Sequence, residues 1–203
     1  MRWLVALTLL TACSSSFNHL DHYFQKRGIE TPTATKFQTC RAYGCQKIDT
    51  ITLSKNEWKA IDKHFKPKAK SPRSERKKIA QAIATFEKLV GEHNGTSEDI
   101  WGTFQKTGHK QQDCVDESTN TSIYIRVLAE RGHIHHHTVR QPQSRVPFMK
   151  WPHQTAIIVE NKSGQQFAVD SWFHNNGSPP EIIELETWKK GWKPHKEDTE
   201  DRP

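Results

Sequence analysis

The chain is predicted to adopt an α+β fold, helices first and strands after, on three observations. A stripe of helical period, Ile79, Ile83, Phe86 and Val90, comes before any clear strand signal. Three short β-type runs follow, at about 135–139, 155–159 and 167–169. The last two flank Asn161-Lys162-Ser163-Gly164, a turn signal that makes them an antiparallel hairpin. Helices segregated from strands in this way pack on a small antiparallel sheet.

Taking the elements in order, a short helix is expected over 56–65, with Trp58, Ile61 and Phe65 on one face. Ser71-Pro72 then supplies a capping residue and a proline at the first helical position. The helix it opens carries the apolar stripe and meets stop signals at Gly91 and Gly95. A third helix is expected over 114–131, closed by Gly132. Ile123, Tyr124, Val127 and Leu128 would pack on one side, while 118–122 is unusually polar. After Pro179-Pro180, the segment with Ile182, Ile183, Leu185 and Trp188 should return to cover the sheet.

A length of 203 residues suits one domain with tails. Only 33% of residues are hydrophobic, but 7 Trp and 9 Phe supply enough large apolar surface for one core. The net charge of +7, from 30 Lys and Arg against 23 Asp and Glu, suits contact with anionic surfaces. No basic run carries interleaved aromatics, so nucleic acid is not an expected partner.

Met1-Arg2 followed by the apolar run 3–10 has the layout of an export signal and is too short to span a bilayer. Leu10-Thr11-Ala12-Cys13 resembles the lipobox of bacterial lipoproteins. That resemblance implies a signal peptide over 1–12, lipidation of Cys13 and a membrane anchor. Ser14 in place of Asp then implies the inner leaflet of the outer membrane, facing the periplasm. Residues 13–35 read as a polar tether, 36–193 as the folded domain and 194–203 as a charged tail.

With Cys13 assigned to lipid, three cysteines remain. Cys40 and Cys45 bound a short loop with Gly44 inside it, which an oxidising compartment would close as a disulfide. Cys114 is left alone. It opens the third predicted helix, where the helix dipole and a neighbouring His would lower a thiol's pKa. His153 begins one strand of the predicted hairpin and Asp170 ends the other, so antiparallel pairing brings them to one sheet edge. A thiol, a base and a carboxylate that orients the base make up the equipment of covalent acyl transfer.

Three pieces of this chain resemble the bacterial transglutaminase-like cysteine proteinases. They are Asp113-Cys114-Val115-Asp116 heading a helix, His153-Gln154-Thr155 through Val159 with Phe167-Ala168-Val169-Asp170, and Trp101-Gly102 upstream, itself preceded by the amphipathic helix. Together they span about 75–173. The resemblance implies a transglutaminase-like (papain-like) fold with Cys114 as nucleophile, His153 as general base and acid, and Asp170 as orienter. It also implies a protein or peptidoglycan-peptide substrate. No cofactor is required, although acidic residues flanking the cysteine bring calcium into question, with Asp113 and Asp116 as candidate ligands. Val115 stands where an acidic residue is usual in the family.

Trp101, Trp151 and Trp172 flank the proposed triad and would wall a substrate cleft. His133, His135, His136 and His137 invite a metal reading, but no Cys-x-x-Cys or His-Glu-x-x-His accompanies them, and a polar strand near the sheet edge is expected instead. The function expected is an exported, lipid-anchored cysteine hydrolase, a protease or amidase. Acyl transfer of the transglutaminase type and a non-catalytic envelope lipoprotein that binds protein or peptidoglycan are its rivals.

Overall fold

A computed structural model describes residues 12–103, 108–146 and 152–194, without the side chains of 12–18. The signal-peptide assignment, Trp151 and most of the charged tail therefore lie outside the described residues, as does the side chain of Cys13. The element order begins α1 (Ala12–Gln25), β1 (Phe37–Arg41) and β2 (Lys47–Ile51), then α2 (Lys55–Asp62) with a 3-10 turn at Lys63–Phe65. It continues α3 (Pro72–Asn94), α4 (Cys114–Glu130), β3 (His137–Arg145), β4 (His153–Glu160), β5 (Gln166–Asp170), β6 (Glu181–Glu184) and α5 (Leu185–Lys189).

The expected α+β order holds, with two additions. A β1-β2 hairpin lies between α1 and α2, and β6 extends the later strands into a four-stranded antiparallel sheet of order β3-β4-β5-β6. In edge strand β3 the register shifts between Arg140 and Gln143, around Pro142, which has no N–H to give a ladder.

Helix starts follow the capping chemistry. The Ser54 side chain accepts from the Glu57 N–H while the Glu57 carboxylate accepts from the Ser54 N–H, and Ser71 and Ser74 repeat the arrangement at α3. Gly95, at φ 82°, closes α3 in the left-handed conformation that glycine adopts without strain. Gly91 is no stop: it lies inside α3, where a Cβ would come within 2.9 Å of the Ser97 backbone. It is small because another chain segment crosses there.

The tether expected over 13–35 is corrected. From Leu20 onward the segment is part of the domain, with Leu20, Phe24 and Ile29 fully buried in the main core. Leu20, Tyr23 and Phe24 fall at helical spacing, a signal outweighed by the polar composition around them.

Alternation along β4 and β5 serves two layers. Ala156, Ile158, Phe167 and Val169 join the main core with α3 and α4. Ile157 and Ala168 point the other way, into a second cluster with Leu185 and Trp188 of α5. Helix α4 is buried continuously from Asp116 to Leu128, which explains its polar first half. Its hydroxyls and amides serve as hydrogen-bonding groups for neighbouring segments: Asn120 accepts from Cys40 N–H at 2.7 Å and donates to Cys40 C=O at 2.8 Å, and Thr121 meets Ser171 at 3.0 Å.

Candidate active site

Cys114 is the first residue of α4, and Asp113 is the cap before it. Asp113 Oδ1 accepts from the N–H groups of Val115 and Asp116, and Asp116 accepts in return from Asp113 N–H. The thiol is half-buried and in no disulfide. Its pKa moves opposite to the sequence expectation: burial, with the negative charges of Asp113 and Asp170, pushes it up to about 11. The N–H groups of Gln154 and of Cys114 itself favour the thiolate but do not offset this. Burial first, and the carboxylates around the site second, are the reason the helix-start argument fails here.

His153 and Asp170 meet as the hairpin predicts. His153 Nε2 lies 2.7 Å from Asp170 Oδ2, with both side chains buried. Strand alternation places them on the α5 side, where Trp188 Nε1–H donates to the same Asp170 oxygen at 2.6 Å. Trp188 itself is fully buried under the Arg145 guanidinium, 4.3 Å from its ring. Sequence reasoning assigned Trp188 only to covering the sheet. A buried indole needs an acceptor for its N–H, and that was the available signal.

The His153 ring is enclosed by Trp172, Phe173 and Trp188, with centroids at 4.6, 5.3 and 5.6 Å. Its Nδ1 is buried and has no hydrogen-bond partner. No hydrogen bond joins it to Cys114. The connection runs instead through the adjoining residue, since the Gln154 N–H supports the Cys114 sulfur.

The Gln154 side chain turns toward α4 and α1. Its Oε1 accepts from Ser118 Oγ at 3.1 Å and from Tyr23 Oη at 3.2 Å, and Tyr23 also meets Thr119 at 3.0 Å. The Tyr23 hydroxyl is pushed up mainly by burial, with Cys114 among the smaller contributions. A residue of the expected tether therefore stands beside the nucleophile candidate.

Trp172 belongs to the site wall: its Nε1–H donates to Thr103 C=O at 3.0 Å while its ring lies on His153. Trp101 is 47% exposed on the neighbouring segment, whose Gly102 N–H donates to Trp172 C=O. These two of the three expected cleft tryptophans are thus held in adjoining positions.

Cys40 and Cys45 form a disulfide. Residues 42–45 all have positive φ, of 69°, 68°, 64° and 62°, a left-handed turn whose N–H groups converge on the start of α4. Asp116 accepts from Tyr43 N–H at 2.7 Å and Cys45 N–H at 2.6 Å, and Asp113 accepts from Gly44 N–H at 3.2 Å. This occupancy does not fit calcium. Both Asp116 oxygens and Asp113 Oδ1 are already acceptors of backbone N–H groups, and a cation would have to compete with these for their lone pairs. Among the described residues the one convergence of three residues able to ligate a metal is Cys40, Cys45 and Asp116, with the sulfurs bonded to each other.

The histidine run serves the fold. Glu75 is fully buried; it accepts from His135 and His136 N–H and lies 2.8 Å from His137 Nδ1. Burial raises its pKa, but these bonds prevail and hold it below the usual carboxylate range. His133 stacks on Phe65 and meets Asp62 at 2.8 Å.

Behind Cys114 lies a feature the sequence reading missed. Glu87, Asp99 and Glu117 are buried together beneath the start of α4. Burial is the leading cause that pushes Glu87 up to about 8 and Asp99 to about 7, and it raises Glu117 well above the usual range, with mutual repulsion adding to it. In comparison with known proteins, no family model, curated protein or solved structure matches the chain.

Proposed function

We propose that the protein is an exported, lipid-anchored cysteine hydrolase of the transglutaminase-like type, cleaving an amide through a thioester acyl-enzyme. The observation that carries this reading is His153, held by Asp170 through Nε2 while its buried Nδ1 is unengaged beside the peptide that meets the Cys114 sulfur. In the proposed reaction the Cys114 proton passes to His153 Nδ1 as sulfur attacks the substrate carbonyl. The N–H groups of Cys114 and Gln154 stabilise the tetrahedral oxyanion. His153 then protonates the leaving amine. Water attacks the thioester, giving its proton back through His153 and restoring the thiol.

A protein or a peptidoglycan peptide is the proposed substrate, and the inner leaflet of the outer membrane, reached through Cys13, is the proposed location. Release by an amine in place of water would make the same site a transglutaminase. A second reading is favoured by the raised Cys114 pKa and its missing bond to His153: a non-catalytic envelope lipoprotein that uses this scaffold to bind.

The test is acylation by an activated ester, read by intact mass. Uptake by the native chain should be lost in Cys114→Ala, and in His153→Ala it should slow by about 10²- to 10⁴-fold. Equal uptake by the native chain and Cys114→Ala would leave binding as the function.

A further inference from the structure

The stretch 55–78 carries ten Lys and Arg against three acids, while the rest of the chain is balanced at twenty against twenty. All of the net charge of +7 therefore resides in this segment, which forms α2, the 3-10 turn and the start of α3. The three acids are consumed internally. Glu57 meets His93 and the Ser54 N–H, Asp62 binds Arg131 and His133, and Glu75 is buried with His137.

The lysines are not. Lys55, Lys59, Lys63, Lys66, Lys68 and Lys70 are all exposed, and among the described residues none has a carboxylate partner. The first four, with Arg131, line an open cavity of about 470 Å³ over Trp58. The face continues past Lys68 to Lys70, His135, His136 and Lys162 around a second cavity.

We propose that this face docks the protein on an anionic phospholipid surface. Unpaired ammonium groups spread over a broad face suit an array of headgroup phosphates, each near-surface Lys adding to the attraction. Stacking of nucleic-acid bases would need exposed rings, but Trp58 and Phe65 are buried under Arg131 and His133.

The placement has a functional sense. Arg131 and His133 follow the end of α4, whereas Cys114 begins it, so the 17-residue helix sets the basic face about 25 Å from the thiol. Asp21 lies against Arg126 and Tyr23 against Thr119, which directs the start of α1 toward the basic end. Docking there leaves the Cys114 end facing away from lipid. The inference goes beyond the hydrolase reading, and its charge argument is independent of Cys114.

The test is co-sedimentation of the full chain with vesicles of phosphatidylcholine alone and mixed with phosphatidylglycerol. The readout is the gain in binding that phosphatidylglycerol brings, so apolar insertion of residues 3–10, common to both vesicles, does not enter. Substituting Lys59→Gln, Lys63→Gln and Lys66→Gln together should cut that gain by about 100-fold, and added salt should erode it in the native chain. Gln is a good helix former and these side chains hold no partner, so the circular dichroism spectrum should not change. A control with Lys26→Gln, Lys36→Gln and Lys47→Gln should keep the gain. The proposal is overturned if the first variant keeps it, if the control loses as much, or if an oligonucleotide at equal phosphate concentration strips the native chain from the vesicles.

Discussion

Cys114 sits where two physical effects oppose each other. Its place at the start of α4 and the two N–H groups at its sulfur favour the thiolate. Burial and the carboxylates of Asp113 and Asp170 favour the thiol, and they prevail. The resting site therefore holds a neutral thiol at physiological pH. Iodoacetamide alkylation of Cys114 should be slow at pH 7 and climb as pH rises toward about 11. In Asp113→Asn, which keeps a competent cap and removes one negative charge, the profile should move to lower pH. A profile that plateaus below pH 8 in the native chain would show the thiolate already formed, and this account of the site would fall. Cys114, His153 and Asp170 were legible as residue types at telling positions. Trp188 and Gln154 were not, because each acts through a contact that only the packed sheet and helices create.

Among the elements, the turn at 42–45 has the most unusual conformation. Ala42, Tyr43 and Cys45 take up left-handed backbone, at about 1–2 kcal/mol each. The Cys40–Cys45 disulfide and the carboxylates of Asp113 and Asp116 hold them there. The bridge closes a short loop, so chain entropy assigns it about 2 kcal/mol. Cys40→Ser with Cys45→Ser should lower the thermal midpoint by about 4–8 °C, and reductant should do the same to the native chain. An unchanged midpoint in both would mean that the carboxylate contacts alone hold the turn. The cysteine spacing announced the loop, but nothing in the sequence announced that it grips the start of α4. Nor did polar composition around Leu20 and Phe24 announce that α1 packs into the core.

At the scale of the whole molecule, buried carboxyl groups govern the pH dependence of stability. Glu87, Asp99 and Glu117 have folded pKa values raised above those of the unfolded chain, so the folded state binds more protons. Their contribution is fully present below about pH 4 and is lost as pH rises through about 7 to 8. Glu57, Asp62 and Glu75 are lowered and act in the opposite sense, their contribution fading as pH falls below the ordinary carboxylate range. Urea unfolding should give greatest stability near about pH 4 to 5, where the lowered carboxylates are ionised and the raised ones still protonated, with a decline as pH rises toward 9. Glu117→Gln should flatten that decline. A native chain equally stable at pH 6 and pH 9 would contradict the assignment of these groups as protonated in the fold.

By itself the sequence determined the α+β order, the capped start of α3, the disulfide and the meeting of His153 with Asp170. These depend on short-range physics: helical period, capping side chains, loop closure, and the hairpin rule that joins a strand's start to its partner's end. The tertiary structure alone decided the protonation of Cys114, the indole on Asp170, the buried acids beneath α4 and the packing of α1. Each depends on which distant segments exclude water from a group. A pKa or an orphaned donor is set by that exclusion, and linear spacing carries no record of it.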